Sequence, residues 1–164
     1  MDIVLAIARL AVVLVAAVAA VYASMVLFQF MTPGIDEWKE VAAGNVAAGL
    51  VMAGVAVAVA IVLQPIITFP LQRLDLGASV IAVALLLEVV RVCLGVIVAV
   101  LVVVFAAWLY GLLTRRIEER LQLEQGNVAV GLIQAAIIVS TAILVSAPAG
   151  MLVSALLQTV FGSS

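Results

Sequence analysis

The sequence predicts an all-α polytopic membrane protein with four transmembrane helices arranged as two tandem two-helix repeats. Three observations predict it. First, 68% of the 164 residues are hydrophobic and 10% are charged, against about 45–50% and about 25% in soluble domains. The mean hydropathy of +1.46 agrees. So little polar surface could not cover a core of this size, and a soluble globular protein is excluded. Second, four apolar runs are each long enough to cross a hydrocarbon core as helices. Third, a set of polar and glycine positions recurs at half the chain length.

The first run, Ile3 to Phe30, is interrupted only by Arg9. It spans a core of about 30 Å with residues to spare. Its valines do not argue for strands, because a chain in lipid must satisfy its backbone internally, and unbroken apolar runs do so as helices. A cleaved signal core has about 7–15 apolar residues behind a basic start. Asp2 stands where that basic start would be, so the segment is expected to be retained. The second run goes from Val46 to Leu63 and is expected to stop before Pro65. The third, Ala78 to Leu113, carries only Glu88 and Arg91 as charges. The fourth, Val128 to Ala147, is expected to stop at Pro148. The segments 64–77 and 148–161 that follow are apolar and contain proline. Each either lies in the outer interface or continues its helix with a kink.

Gly44-Asn45-Val46-Ala47 recurs as Gly126-Asn127-Val128-Ala129, an offset of 127 − 45 = 82, half of 164. In the same register Arg9 meets Arg91, Thr32 meets Thr114, Glu37 meets Glu119, Gly49 meets Gly131 and Ala53 meets Ala135. Coincidences among valines carry little weight in this composition, whereas coincidences at Arg, Thr, Glu, Gly and Asn do. Residues 1–82 and 83–164 are therefore read as two copies of one hairpin. An even number of crossings per copy makes the repeats parallel, related by an axis along the membrane normal.

Lysines and arginines favour the cytoplasmic side of a membrane. Lys39, Arg115, Arg116 and Arg120 place loops 31–45 and 113–127 in the cytoplasm and both termini outside. In the first loop Thr32 is expected to cap a helix beginning at Pro33. Ile35, Trp38 and Val41 recur at helical spacing and leave Asp36, Lys39 and Glu40 on other faces. Ile117 and Leu121 repeat the apolar side in the second copy. Such short amphipathic helices either anchor the chain at the interface or dock a cytoplasmic protein partner. The anchor is the more economical reading.

Gly44-Asn45 and Gly126-Asn127 form a candidate helix-start site. Asparagine caps helices well and glycine allows a sharp bend. Two adjacent helix starts could also gather N–H groups around an anion. Behind them Gly49 with Ala53, and Gly131 with Ala135, are small-xxx-small patterns that bring helices close. Gln134 could hydrogen-bond across that contact. Arg9, Glu88 and Arg91 form a candidate polar cluster inside apolar runs. Both arginines lie 22 residues from the predicted cytoplasmic ends, about 33 Å at 1.5 Å per residue. They are therefore expected to snorkel to the opposite headgroups. Glu88 and Arg91 are three apart and can pair.

Without histidine, with the lone Cys93 expected to be a buried inert thiol, and with a net charge of −2, the chain offers no metal, cofactor or nucleic-acid chemistry. No nucleophile–base pair is visible, so no enzyme is expected. Two functions compete. One is a non-enzymatic, homo-oligomeric membrane component or scaffold. The other is a small ion or polyamine channel or transporter.

Thr32-Pro33 with Asp36-Glu37-Trp38, then Gly44-Asn45-Val46-Ala47-Ala48-Gly49 and Ala53-Gly54, resembles the YjfL-type "domain of unknown function" family. The second copy departs from that pattern where Arg115 and Arg120 replace Pro33 and Trp38. The resemblance implies a small bacterial inner-membrane protein with a duplicated two-helix unit and no settled activity. From the family's gene neighbourhoods it implies an envelope-stress or polyamine-linked context.

Overall fold

The computed structural model describes residues 3–31, 36–68, 81–113 and 119–161. Every regular element among them is a helix: α1 (Ile3–Met31), α2 (Glu37–Ala42), α3 (Val46–Thr68), α4 (Ile81–Leu113), α5 (Glu119–Glu124) and α6 (Val128–Phe161). Four of these, α1, α3, α4 and α6, are long and apolar enough to cross a membrane. Valine and alanine fill them because only an internally hydrogen-bonded backbone is tolerated in lipid.

At two boundaries the structure chooses between the readings the sequence left open. Helix α3 runs through Pro65 to Thr68, and α6 runs through Pro148 to Phe161. A proline removes one N–H from the ladder, a loss that membrane helices accommodate through neighbouring helices and local adjustment. Here a Cβ on Gly150 would lie 3.1 Å from the Pro65 Cβ, so the two proline regions pack together. Segment 148–161 is therefore a continuation of its helix, as is 64–68. Residues 69–77 lie outside the described residues.

Helix α3 is the hub, packed on α1, α4 and α6, with α2 and α5 against it. The α3–α6 pair is the centre of the molecule. Gly131 meets Ala47, Gly54 meets Ala135 and Gly150 meets Pro65. These contacts advance together along both helices, so α3 and α6 run parallel from one end of the molecule. The buried core follows them through Val51, Val55, Ala58, Val59, Val62 and Ile66 on α3, with Ile138, Ala142 and Val153 on α6. Cys93, expected to be buried, is exposed on the outer side of α4.

Candidate functional site: the paired turns and the buried polar groups

Each short helix ends in the same way. The N–H of Gly44 donates to Val41 O at 3.0 Å and that of Asn45 to Glu40 O at 2.9 Å. This two-bond closure requires a left-handed residue just past the helix, and Gly44 supplies it at φ 86°. Eighty-two residues on, Gly126 donates to Leu123 O and Asn127 to Gln122 O, both at 2.9 Å, with Gly126 at φ 74°. Glycine adopts this conformation without the steric cost a Cβ would bring.

The asparagines then start the long helices. Asn45 Oδ1 accepts from Ala48 N, and Asn127 Oδ1 accepts from Ala129 N, both at 3.2 Å. Asn45 Nδ2 donates to Glu40 Oε2 at 2.9 Å, and Asn127 Nδ2 donates to Gln122 Oε1 at 2.8 Å. Gly-Asn is thus one device that closes a helix and opens the next. Both side-chain oxygens are occupied by capping N–H groups, so the geometry is that of a cap and hinge, with no anion needed to complete it.

One bond joins the two turns. Asn45 Nδ2 also donates to Leu123 O at 2.8 Å, which holds both turns at the same end of the molecule.

At α2 the cap is Asp36. Its Oδ1 accepts from Lys39 N and from Gln29 Nε2, both at 3.1 Å. Thr32 and Pro33, expected to start this helix, lie outside the described residues, as do Ile35 and Ile117. An aspartate satisfies early N–H groups and complements the positive helix end. Trp38 and Val41 are exposed, whereas Glu37 is buried. Sequence reasoning missed the inward turn of Glu37, which lies off the apolar face set by Ile35, Trp38 and Val41.

The small residues of the second copy face α3, whereas those of the first copy do not face α6. Gly131, Gln134 and Ala135 are buried in α6. In α3, however, Ala53 is exposed and a Cβ on Gly49 would meet nothing within 4 Å. Ala47 and Gly54 make the contact instead. A Cβ on Gly131 would stand 2.5 Å from Ala47 O, and one on Gly54 would stand 2.8 Å from the Ala135 Cβ. No side chain fits at either glycine without moving a backbone. The displacement has a simple reason: α3 presents a different face to α6 than α6 presents to α3. Gln134 does not complete a bond across the pair through its oxygen, because Oε1 accepts no hydrogen bond.

Glu88 and Arg91 pair at 3.5 Å with side chains 2% and 3% exposed. The Glu88–Arg91 pair expected from the spacing is present, and the Arg91 side chain, also expected to reach outward to headgroups, is buried beside Glu88. An ion pair three residues apart on one helix face sets the two opposite charges against each other inside the protein. Arg9 lies in α1, but its side chain is outside the described residues. Among the described residues no group of three or more His, Cys, Asp or Glu could hold a metal.

Four apolar helices, short surface helices at one end and a centre closed by small residues define a multi-pass α-helical membrane protein. Within that class, the chain belongs to the family described as Domain of Unknown Function (DUF350), whose sequence pattern matches residues 2–149. No curated protein and no solved structure matches the chain.

Proposed function

We propose that the protein is a non-enzymatic, homo-oligomeric component of the bacterial inner membrane, of the YjfL type, that presents a surface to cytoplasmic partners in an envelope-stress or polyamine-linked context. The observation that carries this reading is the Asn45–Leu123 bond. It gathers α2 and α5 at one end of the bundle, where Trp38, Val41 and Leu121 are exposed. Short helices with exposed apolar side chains at a bundle end suit an interfacial platform. The lysine and arginine distribution supports a cytoplasmic position for that platform, with both termini outside. Fusing a compartment-sensitive reporter after residue 164 tests the orientation: activity of a cytoplasmic reporter there would reverse it.

The scaffold reading is tested by proximity labelling from the platform. Trp38→Ala combined with Leu121→Ala is expected to remove the labelled partners while leaving the protein in the membrane. Labelling that does not depend on segments 35–43 and 117–124 would overturn the scaffold.

A second reading, a small ion or polyamine channel, is favoured by the buried Glu88–Arg91 pair and by Gln134, since ionisable groups inside a membrane commonly mark transport paths. Liposome flux of potassium and of spermidine separates the two. The scaffold predicts no flux for wild type. Flux that falls with Glu88→Gln or Asn127→Ala would replace the scaffold with the channel.

A further inference from the structure

The internal contact between the two halves is one-sided, and the counterparts of both its faces are exposed on the single chain. In the 82-residue register, the α3 positions in close contact with α6 include Ala47 and Gly54, and their counterparts on α6 are Ala129 and Ala136. The first set is buried and the second exposed. Conversely, Ala135 of α6 is buried against Gly54 of α3, while its α3 counterpart Ala53 is exposed. A contact obeying an internal two-fold would have buried both sets.

The same one-sidedness runs through the rest of the molecule. Asn45 donates to Leu123 O, but Asn127 makes no matching bond to Val41 O, and Val41 is 38% exposed against 7% for Leu123. Helix α4 packs on α3, whereas α1 makes no comparable contact with α6. A heterologous contact of this kind leaves one donor face and one acceptor face, which further copies fill, closing into a ring when the rotation allows.

Resting on the oligomeric reading proposed above, we infer that a second copy of this chain docks its first half on the second half of the first copy, repeating the internal α3–α6 contact. Ala129 of one copy then lies over Gly49 of the other, as Ala47 lies over Gly131 within the chain. The open space around Gly49 is the slot for that backbone approach. Ala136 meets Ala53 of the second copy, as Gly54 meets Ala135. This pair carries one methyl more, so the crossing is slightly wider there. The second amide N–H of Asn127 donates to Val41 O of the second copy. Helix α1 of that copy packs on α6, as α4 packs on α3.

The test uses two differently tagged full-length chains in a Cys93→Ser background, co-expressed in membranes and oxidised. One chain carries Ala53→Cys and the other Ala136→Cys. The expected result is a disulfide-linked pair only when both substitutions are present, because a head-to-tail contact joins unlike positions. A linked pair from either single substitution alone would show a two-fold contact between like positions. That result, or no link from the combination in a protein that native mass measurement shows to be multimeric, overturns the head-to-tail contact and leaves the oligomeric reading standing. A single chain in lipid nanodiscs overturns both. Ala136→Trp provides an independent check. It sits on an exposed face of the single chain and is expected to dissociate the multimer with helical content unchanged. A multimer of wild-type size would overturn the proposal.

Discussion

The two halves of the molecule share a sequence register and a turn chemistry but differ in what surrounds them. In the first half the inner helix is central, with 56% of its most apolar stretch buried, and the outer helix is peripheral, with 11% of the corresponding stretch buried. In the second half that stretch is 33% buried in both spanning helices. Two copies that share their turn residues therefore sit in unequal environments. The difference arises because α3 receives α6 on one face while nothing within the chain receives α6 on its own equivalent face. Turn geometry is local and repeats faithfully. Helix packing is a relation between two faces, and the one-sided α3–α6 contact satisfies it once within this chain.

The largest asymmetry is electrostatic. Glu88 pairs with Arg91 in α4, whereas the position 82 residues earlier is Ala6 and leaves Arg9 without the same neighbour in its own helix. Removing one member of a buried pair strands the other, which costs about 3–5 kcal/mol. Glu88→Ala is expected to lower stability by that order in detergent unfolding, and Glu88→Ala with Arg91→Leu to recover most of it. A single substitution with no effect would show that the pair is solvated.

The glycines sharpen the comparison next. Gly131→Ala places a methyl against the Ala47 backbone, and overpacking of this kind costs about 1–3 kcal/mol. The counterpart Gly49→Ala meets open space and is expected to change the unfolding of the single chain by less than about 0.5 kcal/mol. Equal losses in detergent-isolated single chains would mean that the halves pack alike.

The asparagines should separate by less. Losing a cap costs about 0.5–2 kcal/mol, and this applies to Asn45→Ala and Asn127→Ala alike. Asn45→Ala also removes the bond to Leu123 O, a further loss of about 0.5–1.5 kcal/mol. Thermal unfolding of the two variants side by side measures the difference, and equal shifts would make the bridging bond negligible. The smallest effect belongs to Trp38→Ala. The ring is 44% exposed, so the fold should change by less than about 0.5 kcal/mol while partition to the lipid interface weakens. A large loss of stability would place the ring in the core.

Much of this was legible from residue types alone. Composition and run length gave the membrane class, and the Gly-Asn recurrence located both turns, because φ above zero and helix capping are demands on single residues. Proline left two helix ends open: Pro65 and Pro148 allow either a stop or a kinked continuation, and in lipid the helix continues because neighbouring helices and local adjustments re-satisfy the freed backbone groups. Gly49 and Ala53 misled. Their spacing matches that of Gly131 and Ala135, and no periodicity in either copy distinguishes the face that meets the other copy from the face that does not.

The sequence by itself determined that the chain is helical, that it lives in lipid, and that each hairpin turns at a glycine followed by a capping asparagine. These follow from transfer free energy and from the conformations open to individual residues. The tertiary structure decided which faces of equivalent helices meet, that Arg91 turns inward to Glu88, and that Ala47 and Gly54 serve in α3 where Gly131 and Ala135 serve in α6. Those outcomes depend on the fit of two surfaces at once, a property that one strand of sequence read alone does not carry.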